Sequence, residues 1–421
     1  MDETTYNVIV IGAGLAGLAA AQSATRAGAR VLVLDGQSPG GRARTDEHDG
    51  YLFNRGPHAL YLGGHAQRVL ESFAVDIAGG KPPSSSFGSR GGSVAPLPSG
   101  VRTLLTTPLL GMRGKVAIGS LMGRIGRIST AELSSVTVRQ WLDRLRLPAD
   151  AESLVLALVR VATYANAPDE LSAAVAVGQL QLALGPGVRY LHGGWAAMVR
   201  QLEQGLVIER NAAATVEDSA GIDRGVVTVG LAGEGGSRRA ATVVVANGSP
   251  QAAATLLGRQ PFDVGAPIEA VCLDLGSTAP ADPGFLLGID QPLYLSNHCP
   301  PARLAPTGRH VVHVARYLAA GDAFDPATQR AQLEQHAALA GIDVSGEAVT
   351  SRYLHRMTVA SAMPVAAAGG LAGRPDVSAG GSRRVMLAGD WVGNQGHLAD
   401  ASLASGALAG VMAAERARES V

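Results

Sequence analysis

Two short unbroken apolar runs, Val8-Ile9-Val10-Ile11 and Val31-Leu32-Val33-Leu34, stand near the start of the chain, with the stretch Leu18 to Ala27 between them reading as a helix. Continuous β-branched runs of this length fit strands buried on both faces of a parallel sheet. From Thr103 to about Leu184 the apolar spacing is mostly helical, including Val138 to Leu145 and Ala151 to Thr163, and a further helix follows Trp195 to Gln204. Val207-Ile208 and Thr215-Val216 predict short returning strands. Val226 to Leu231 and Ala241 to Ala246 predict a hairpin around a Gly-rich turn. Ser249-Pro250 supplies an N-cap and a first-turn proline for a helix to Leu257. Residues Pro261 to about Thr358 mix strands, such as Ala270 to Leu275 and His310 to Val314, with one helix, Pro326 to Ala340. The chain closes on a strand at Val385-Met386-Leu387 and a small-residue helix, Ala401 to Arg418.

The first apolar run leads directly into Gly12-Ala13-Gly14-Leu15-Ala16-Gly17, and the second ends in Asp35. In that order the first glycine makes a tight turn, the second admits a pyrophosphate and the third lets helix and strand pack closely. The diphosphate then lies at the helix N-terminus, and the acid receives ribose hydroxyls. The strand, glycines, helix, strand and acid in sequence are far more specific than the glycines alone. Just beyond lie Gly40-Gly41-Arg42 and Phe53-Asn54-Arg55-Gly56-Pro57-His58; paired glycines admit a diphosphate and Arg42 offers it a planar cation. Near the other end, Ala388-Gly389-Asp390 sits at the tip of the last predicted strand.

This order of motifs resembles the flavin-containing amine oxidase superfamily, which includes phytoene desaturases, protoporphyrinogen oxidases and squalene-pathway dehydrogenases. The resemblance implies an α/β fold: a Rossmann-type FAD-binding domain built from discontinuous segments, 1–80, 190–258 and 372–421. A mixed α+β substrate domain, 81–189 and 259–371, is inserted into it. It implies non-covalent FAD held by Gly12, Gly14, Leu15, Ala16, Gly17, Asp35, Gly36, Gly40, Gly41, Arg42, Gly56, Pro57 and His58, with Ala213 near the adenine. Gly389 and Asp390 would meet the ribityl chain. The backbone of Leu398, Ala399 and Ala401 would face the flavin pyrimidine, where a helix N-terminus stabilises negative charge on the reduced ring. His58 is the candidate acid or base there, and Trp391 and His397 are candidate pocket walls; Asn54 replaces the family's usual aspartate.

Length and composition narrow the chemistry. The 421 residues, 47% apolar, suffice for one large or two smaller cores, and 35 cationic against 35 acidic residues give no global pull toward nucleic acid. Cys272 and Cys299 are the only cysteines, and no metal-ligand spacing or GxSxG elbow occurs. Gly233 to Gly236 lacks the strand-to-helix setting of a second dinucleotide site. Asp2 and Glu3 stand where a signal peptide carries positive charge, so a cytoplasmic chain is expected.

Hydride transfer between a substrate carbon and flavin remains. Amine oxidases of the superfamily commonly hold a lysine in the substrate domain, yet Lys81 and Lys115 are the only lysines here and both lie upstream of that segment. The expected substrate is therefore a largely apolar small molecule, as in the desaturase branch. The alternatives are a peroxide-producing amine oxidase and a non-enzymatic binding protein like the prenyl-GTPase dissociation inhibitors. Residues 102–127 interleave apolar side chains with Arg113, Lys115, Arg124 and Arg127 and contain no acid, which is the pattern of weak peripheral contact with the inner face of a membrane.

Overall fold

The computed structural model describes residues 5–217, 226–232, 236–322, 325–346 and 348–419; the Asp2-Glu3 and Gly233–Gly235 readings lie outside the described residues. Strand Thr5–Ile11 runs parallel to Val31–Asp35 on one side and to Ser237–Val245 on the other. Val207–Arg210 extends the sheet beyond Val31–Asp35, and Val385–Leu387 pairs parallel with the end of Ser237–Val245. Their register brings Ile11, Leu34, Val245 and Leu387 to one edge. Loops leaving the carboxyl ends of parallel strands form the ligand crevice of such sheets, so Gly12, Asp35, Ala246 and Gly389 emerge on the same rim. The hairpin of Val227–Leu231 with Ser237–Val245, joined by Ala214–Glu217, adds an antiparallel flank.

Of the helices that cover this sheet, two approach each other closely through small residues. Helix Leu15–Arg26 crosses helix Ala399–Arg418 where Gly406 and Gly410 face the backbone of Ala16 and Ala20. A Cβ at either glycine would lie 2.2 and 2.1 Å from those carbonyl oxygens, so no larger residue allows the crossing. The small-residue pattern seen in the sequence thus serves helix packing.

A second, seven-stranded sheet has the order Ala348–Ala360, Ile268–Ser277, His310–Tyr317, Leu293–Cys299, Phe285–Gly288, Phe87–Arg90, Ser93–Pro96. All its pairings are antiparallel except Phe87–Arg90 with Phe285–Gly288. Helix Pro326–Ala338 packs on one face through Leu333 and Ala337. On the other lies a layer of helices that includes Met112–Arg124, Val138–Leu145, Ala149–Thr163 and Ala173–Leu184. The apolar core between them contains Leu154, Val155, Ala315 and Tyr317. Helix Val138–Leu145 starts on a capping box in which Thr137 Oγ1 accepts the Gln140 N–H and Gln140 Oε1 accepts the Thr137 N–H.

Candidate functional site

A single cavity of about 1230 Å³ runs from the rim of the parallel sheet into the space between the second sheet and the helical layer. Its first half is glycine-lined. Gly12 has φ +105°, and a Cβ there would lie 2.4 Å from the Ala246 carbonyl oxygen, so the turn needs glycine. Gly14 differs: it caps the helix in extended backbone, φ −75°, and a Cβ there meets nothing within 4 Å. The space above it is open cavity. Gly17 packs so tightly that a Cβ would sit 1.8 Å from the Gly12 carbonyl oxygen.

The Asp35 carboxylate accepts the Ala13 N–H at 2.6 Å and the Gln37 N–H at 2.7 Å, which fixes it at the cavity wall beside Gly36. Ala213 faces Gly36 across that end, 3.8 Å from where a Cβ would stand. Arg42 reaches across the cavity to donate to Asp390 Oδ2 at 2.8 Å and to the Val359 carbonyl at 3.0 Å. Asp390 Oδ2 also accepts the Ser361 N–H at 2.8 Å, while Oδ1 is buried with no partner. Burial alone would push this carboxyl up, but the Arg42 guanidinium and the Ser361 N–H hold it below the usual carboxylate range. A buried, ionised oxygen lacking a donor, on the wall of a glycine cradle, suits a ligand hydroxyl. Gly40, Gly41, Pro57, His58, Gly389, Leu398 and Ala399 line the same cavity.

Gly56 and Ala401 stand just behind it. A Cβ at Gly56 would strike the Met357 side chain at 2.5 Å, and Ala401 is fully buried. Leu398 caps helix Ala399–Arg418 with φ +56°, ψ −128°, a conformation costly for a branched side chain. The loop before it is clamped. Arg374, buried and paired with no carboxylate among the described residues, donates to the Gly396 carbonyl at 2.9 Å and approaches His397 Nδ1 at 3.5 Å. His397 Nε2 in turn lies 3.1 Å from the Thr163 carbonyl. Burial pushes Arg374 down to about 10, so it stays cationic behind this loop at neutral pH.

The cavity's second half is walled by Tyr61, Tyr164, Tyr190, Tyr294 and Phe285 with Leu154, Leu158, Val161, Ile118 and Met122. The phenol hydroxyls are already engaged: Tyr61 donates to the Ala162 carbonyl, Tyr164 to the Pro57 carbonyl, and Tyr190 pairs with Ser296 Oγ and Tyr294. They therefore present rings rather than free donors. The cavity acids Asp35, Asp46, Asp390 and Asp400 all accept from backbone N–H groups or guanidinium groups of the chain itself. Lys115 Nζ donates to the Leu105 carbonyl on the surface, and neither lysine reaches the cavity.

His58 lies in the cavity wall between these halves, its Nδ1 2.9 Å from the Gly56 carbonyl and its ring edge-on to Trp195 at 4.7 Å. Burial pushes it down to about 4, so at neutral pH it is an uncharged imidazole whose Nδ1–H donates to that carbonyl. This makes it no proton donor at neutral pH. Trp391, expected at the pocket wall, is instead buried against Phe262 in the core of the parallel sheet, whereas His397 does line the cavity.

Sequence reasoning missed the polar cluster behind His58. Asp274, fully buried in the middle of strand Ile268–Ser277, accepts from His313 Nδ1 at 2.6 Å and from Arg352 Nη2 at 2.5 Å, and Cys272 Sγ approaches it at 3.0 Å. Arg352 also binds Asp46 at 2.7 Å and the Asn54 carbonyl. Cys272, Asp274 and His313 converge as a metal triad would, but the Arg352 cation already meets the Asp274 charge. Asn54, the departure from the family pattern, accepts the Trp195 N–H at 2.9 Å and Thr45 Oγ1–H at 2.8 Å, which ties the motif to the Gly193-Gly194 turn.

His58, His397 and His336 are all buried and held near 4, first by burial, against about 6.5 in an unfolded chain. The unfolded state then binds more protons between those values. Stability is complete above about pH 6.5 and falls toward about pH 4, by about 1.4 kcal/mol per pH unit for each group. Asp400, pushed up to about 6 by burial, has the opposite sign and offsets about one of the three in the acid range. Melting temperatures should drop steeply below about pH 6.5, and a flat profile down to about pH 4.5 would contradict these assignments.

Comparison with known proteins agrees with this geometry. Residues 10–74 match the NAD(P)-binding Rossmann-like domain. Over 183 residues the chain is 30% identical to a Mycobacterium tuberculosis protein provisionally named as a flavin-containing monoamine oxidase, AofH; the match covers 40% of this chain and 39% of that one. The chain thus spans well under half the length of that curated relative. Putrescine oxidase bound to putrescine superposes with a TM-score of 0.72 at 17% identity, over 97% of this chain and 98% of that one. A protein from Exiguobacterium sp. 255-15, provisionally named as a protoporphyrinogen oxidase, does so with a TM-score of 0.71 at 17% identity, over 99% of each. The class defined by fold and site is a Rossmann-type dinucleotide protein with a capped cavity. In motif order and matched segments the chain is similar to flavin-containing amine oxidases, and its whole-chain fold is the one those solved structures share.

Proposed function

We propose that the chain is an FAD-dependent oxidoreductase acting on a largely apolar small molecule, with FAD held non-covalently. The observation that carries this reading is the continuity of the cavity. A glycine cradle with an orphaned Asp390 oxygen opens directly into a pocket of aromatic and aliphatic side chains in which the hydroxyls of Tyr61, Tyr164, Tyr190 and Tyr294 are already engaged. FAD, when bound, supplies the hydride-accepting centre. The chain's part is to bind and orient. Gly12 and Gly14 admit the diphosphate, Asp35 the ribose, and Asp390 the ribityl hydroxyls. The N-terminus of helix Ala399–Arg418 with cationic Arg374 behind it supplies positive potential at the pyrimidine end. Tyr61, Tyr164, Leu154 and Leu158 exclude water and align an apolar substrate by shape.

Non-covalent attachment rests on Cys272 and Cys299 being buried away from the cavity wall. Acid precipitation should leave yellow FAD in the supernatant. A second reading, an amine oxidase, is favoured by the tyrosine wall, since aromatic faces attract cations, and by the likeness to AofH. Anaerobic reduction of the bound flavin separates them. Long isoprenoid polyenes should bleach it, and bleaching by putrescine or benzylamine but by no apolar compound would replace the first reading with the second.

A further inference from the structure

We propose that helices Val101–Thr106 and Met112–Arg124 form a docking surface for an anionic lipid bilayer and hold the cavity mouth against it. Four large apolar side chains point into solvent here: Val101 is 77% exposed, Leu105 62%, Met112 73% and Val116 70%. An isolated exposed apolar residue means nothing, but four on two adjoining helices make a patch. Met112 and Val116 are one helical turn apart, and Arg113 and Arg124, three turns apart, form the neighbouring row.

The charge around the patch selects the partner. Arg102, Arg113, Arg124 and Arg127 are exposed and make no ion pair with any described residue, and residues 102–127 contain no acid. Asp150, whose carboxylate lies against Gly114 of helix Met112–Arg124, is spent on the Gly111 N–H at 2.6 Å. A second copy of the chain seated on this face by a two-fold axis would set the same cations against themselves. A bilayer with anionic headgroups meets both components, apolar side chains entering the acyl boundary while arginines stay among phosphates.

The patch is also continuous with the cavity. On helix Met112–Arg124 another side carries Ile118 and Met122, which line the cavity, and Leu97, Pro98 and Ser99, just before Val101, line it too. Leu184 lines the same cavity and is half exposed. Docking through this face sets the mouth at the lipid surface, so an apolar substrate passes from acyl chains to the pocket without crossing water. The delivery rests on the apolar-substrate reading, whereas the docking does not.

Flavin-loaded protein is sedimented with vesicles of phosphatidylglycerol and phosphatidylcholine in equal parts, and with phosphatidylcholine alone. Binding should occur with the first and not the second, and should be lost near 1 M salt, where the Debye length is about 3 Å. Arg113→Glu with Arg124→Glu should weaken binding by at least about tenfold. Leu105→Ser with Val116→Ser should weaken it at unchanged charge. All four positions are solvent-facing, so flavin content and melting temperature should match the parent in every sample. No sedimentation with anionic vesicles at low salt, sedimentation indifferent to both double variants, or a salt-resistant dimer dispersed by Val116→Ser would each overturn the proposal. Vesicle binding without flavin would leave it standing and overturn the FAD reading instead.

Discussion

Gly14→Val should yield a folded protein that no longer holds FAD. At this position backbone geometry and space separate folding from binding. The residue sits in extended backbone with φ −75°, which valine adopts without strain, and its Cβ would meet no atom within 4 Å. The same emptiness is where a diphosphate must approach the start of helix Leu15–Arg26, so the valine methyls would stand where phosphate oxygens belong. Flavin released by acid from the variant should fall below detection while its circular dichroism spectrum stays that of the parent. Gly17→Val is the contrasting control. There a Cβ would lie 1.8 Å from the Gly12 carbonyl oxygen, so helix and strand must separate, and loss of flavin should come with loss of fold. Parent-like flavin content in Gly14→Val would mean the cavity binds its ligand elsewhere.

The dinucleotide half of the molecule was legible because its determinants are local. Val8 to Asp35 specify strand, turn, helix and strand within thirty residues, and each glycine has a steric reason that sequence order reveals. Observed bounds differ from the expected ones only at the ends: the first helix begins at Leu15 rather than Leu18, and the last at Ala399 rather than Ala401. Helix ends depend on capping and fray, so this is where periodicity says least. The substrate half was less legible. Tyr61, Tyr164, Tyr190 and Tyr294 come from four separate elements, and nothing in their spacing brings them together. Trp391 was misread because adjacency to Gly389-Asp390 in sequence says nothing about which side of the strand end it faces; Phe262 and the sheet core take it.

Asp274→Ala should destabilise the fold by about 3 to 5 kcal/mol, the largest loss expected from any single polar substitution outside the cofactor cradle. The sequence held one sign of its importance: Asp274 shares a strand face with the apolar Ile268, Ala270 and Cys272, where a charge is costly unless paired. Its partners lie 39 and 78 residues away, so they could not be named before the sheet was seen. Burial pushes this carboxyl up, but His313, Arg352 and the Cys272 thiol outweigh burial and hold it below the usual range. A depressed carboxylate stabilises the fold above its unfolded pKa, about 3.9, and that contribution is lost as pH falls through the folded value. The alanine variant should therefore differ most from the parent at neutral pH, and the difference should narrow only in strong acid. Removing the acid also leaves Arg352 on Asp46 and the Asn54 carbonyl alone, and leaves His313 buried without an acceptor on Nδ1. Those orphaned donors, more than the lost attraction, make the substitution costly. Asp274→Ala with His313→Leu and Arg352→Met should accordingly recover part of the loss, because it removes the whole network rather than one partner. Urea denaturation of the three proteins measures this, and a single variant as stable as the parent would show that the cluster does not hold the two strands of Ile268–Ser277 and Ala348–Ala360 to the Asn54 loop.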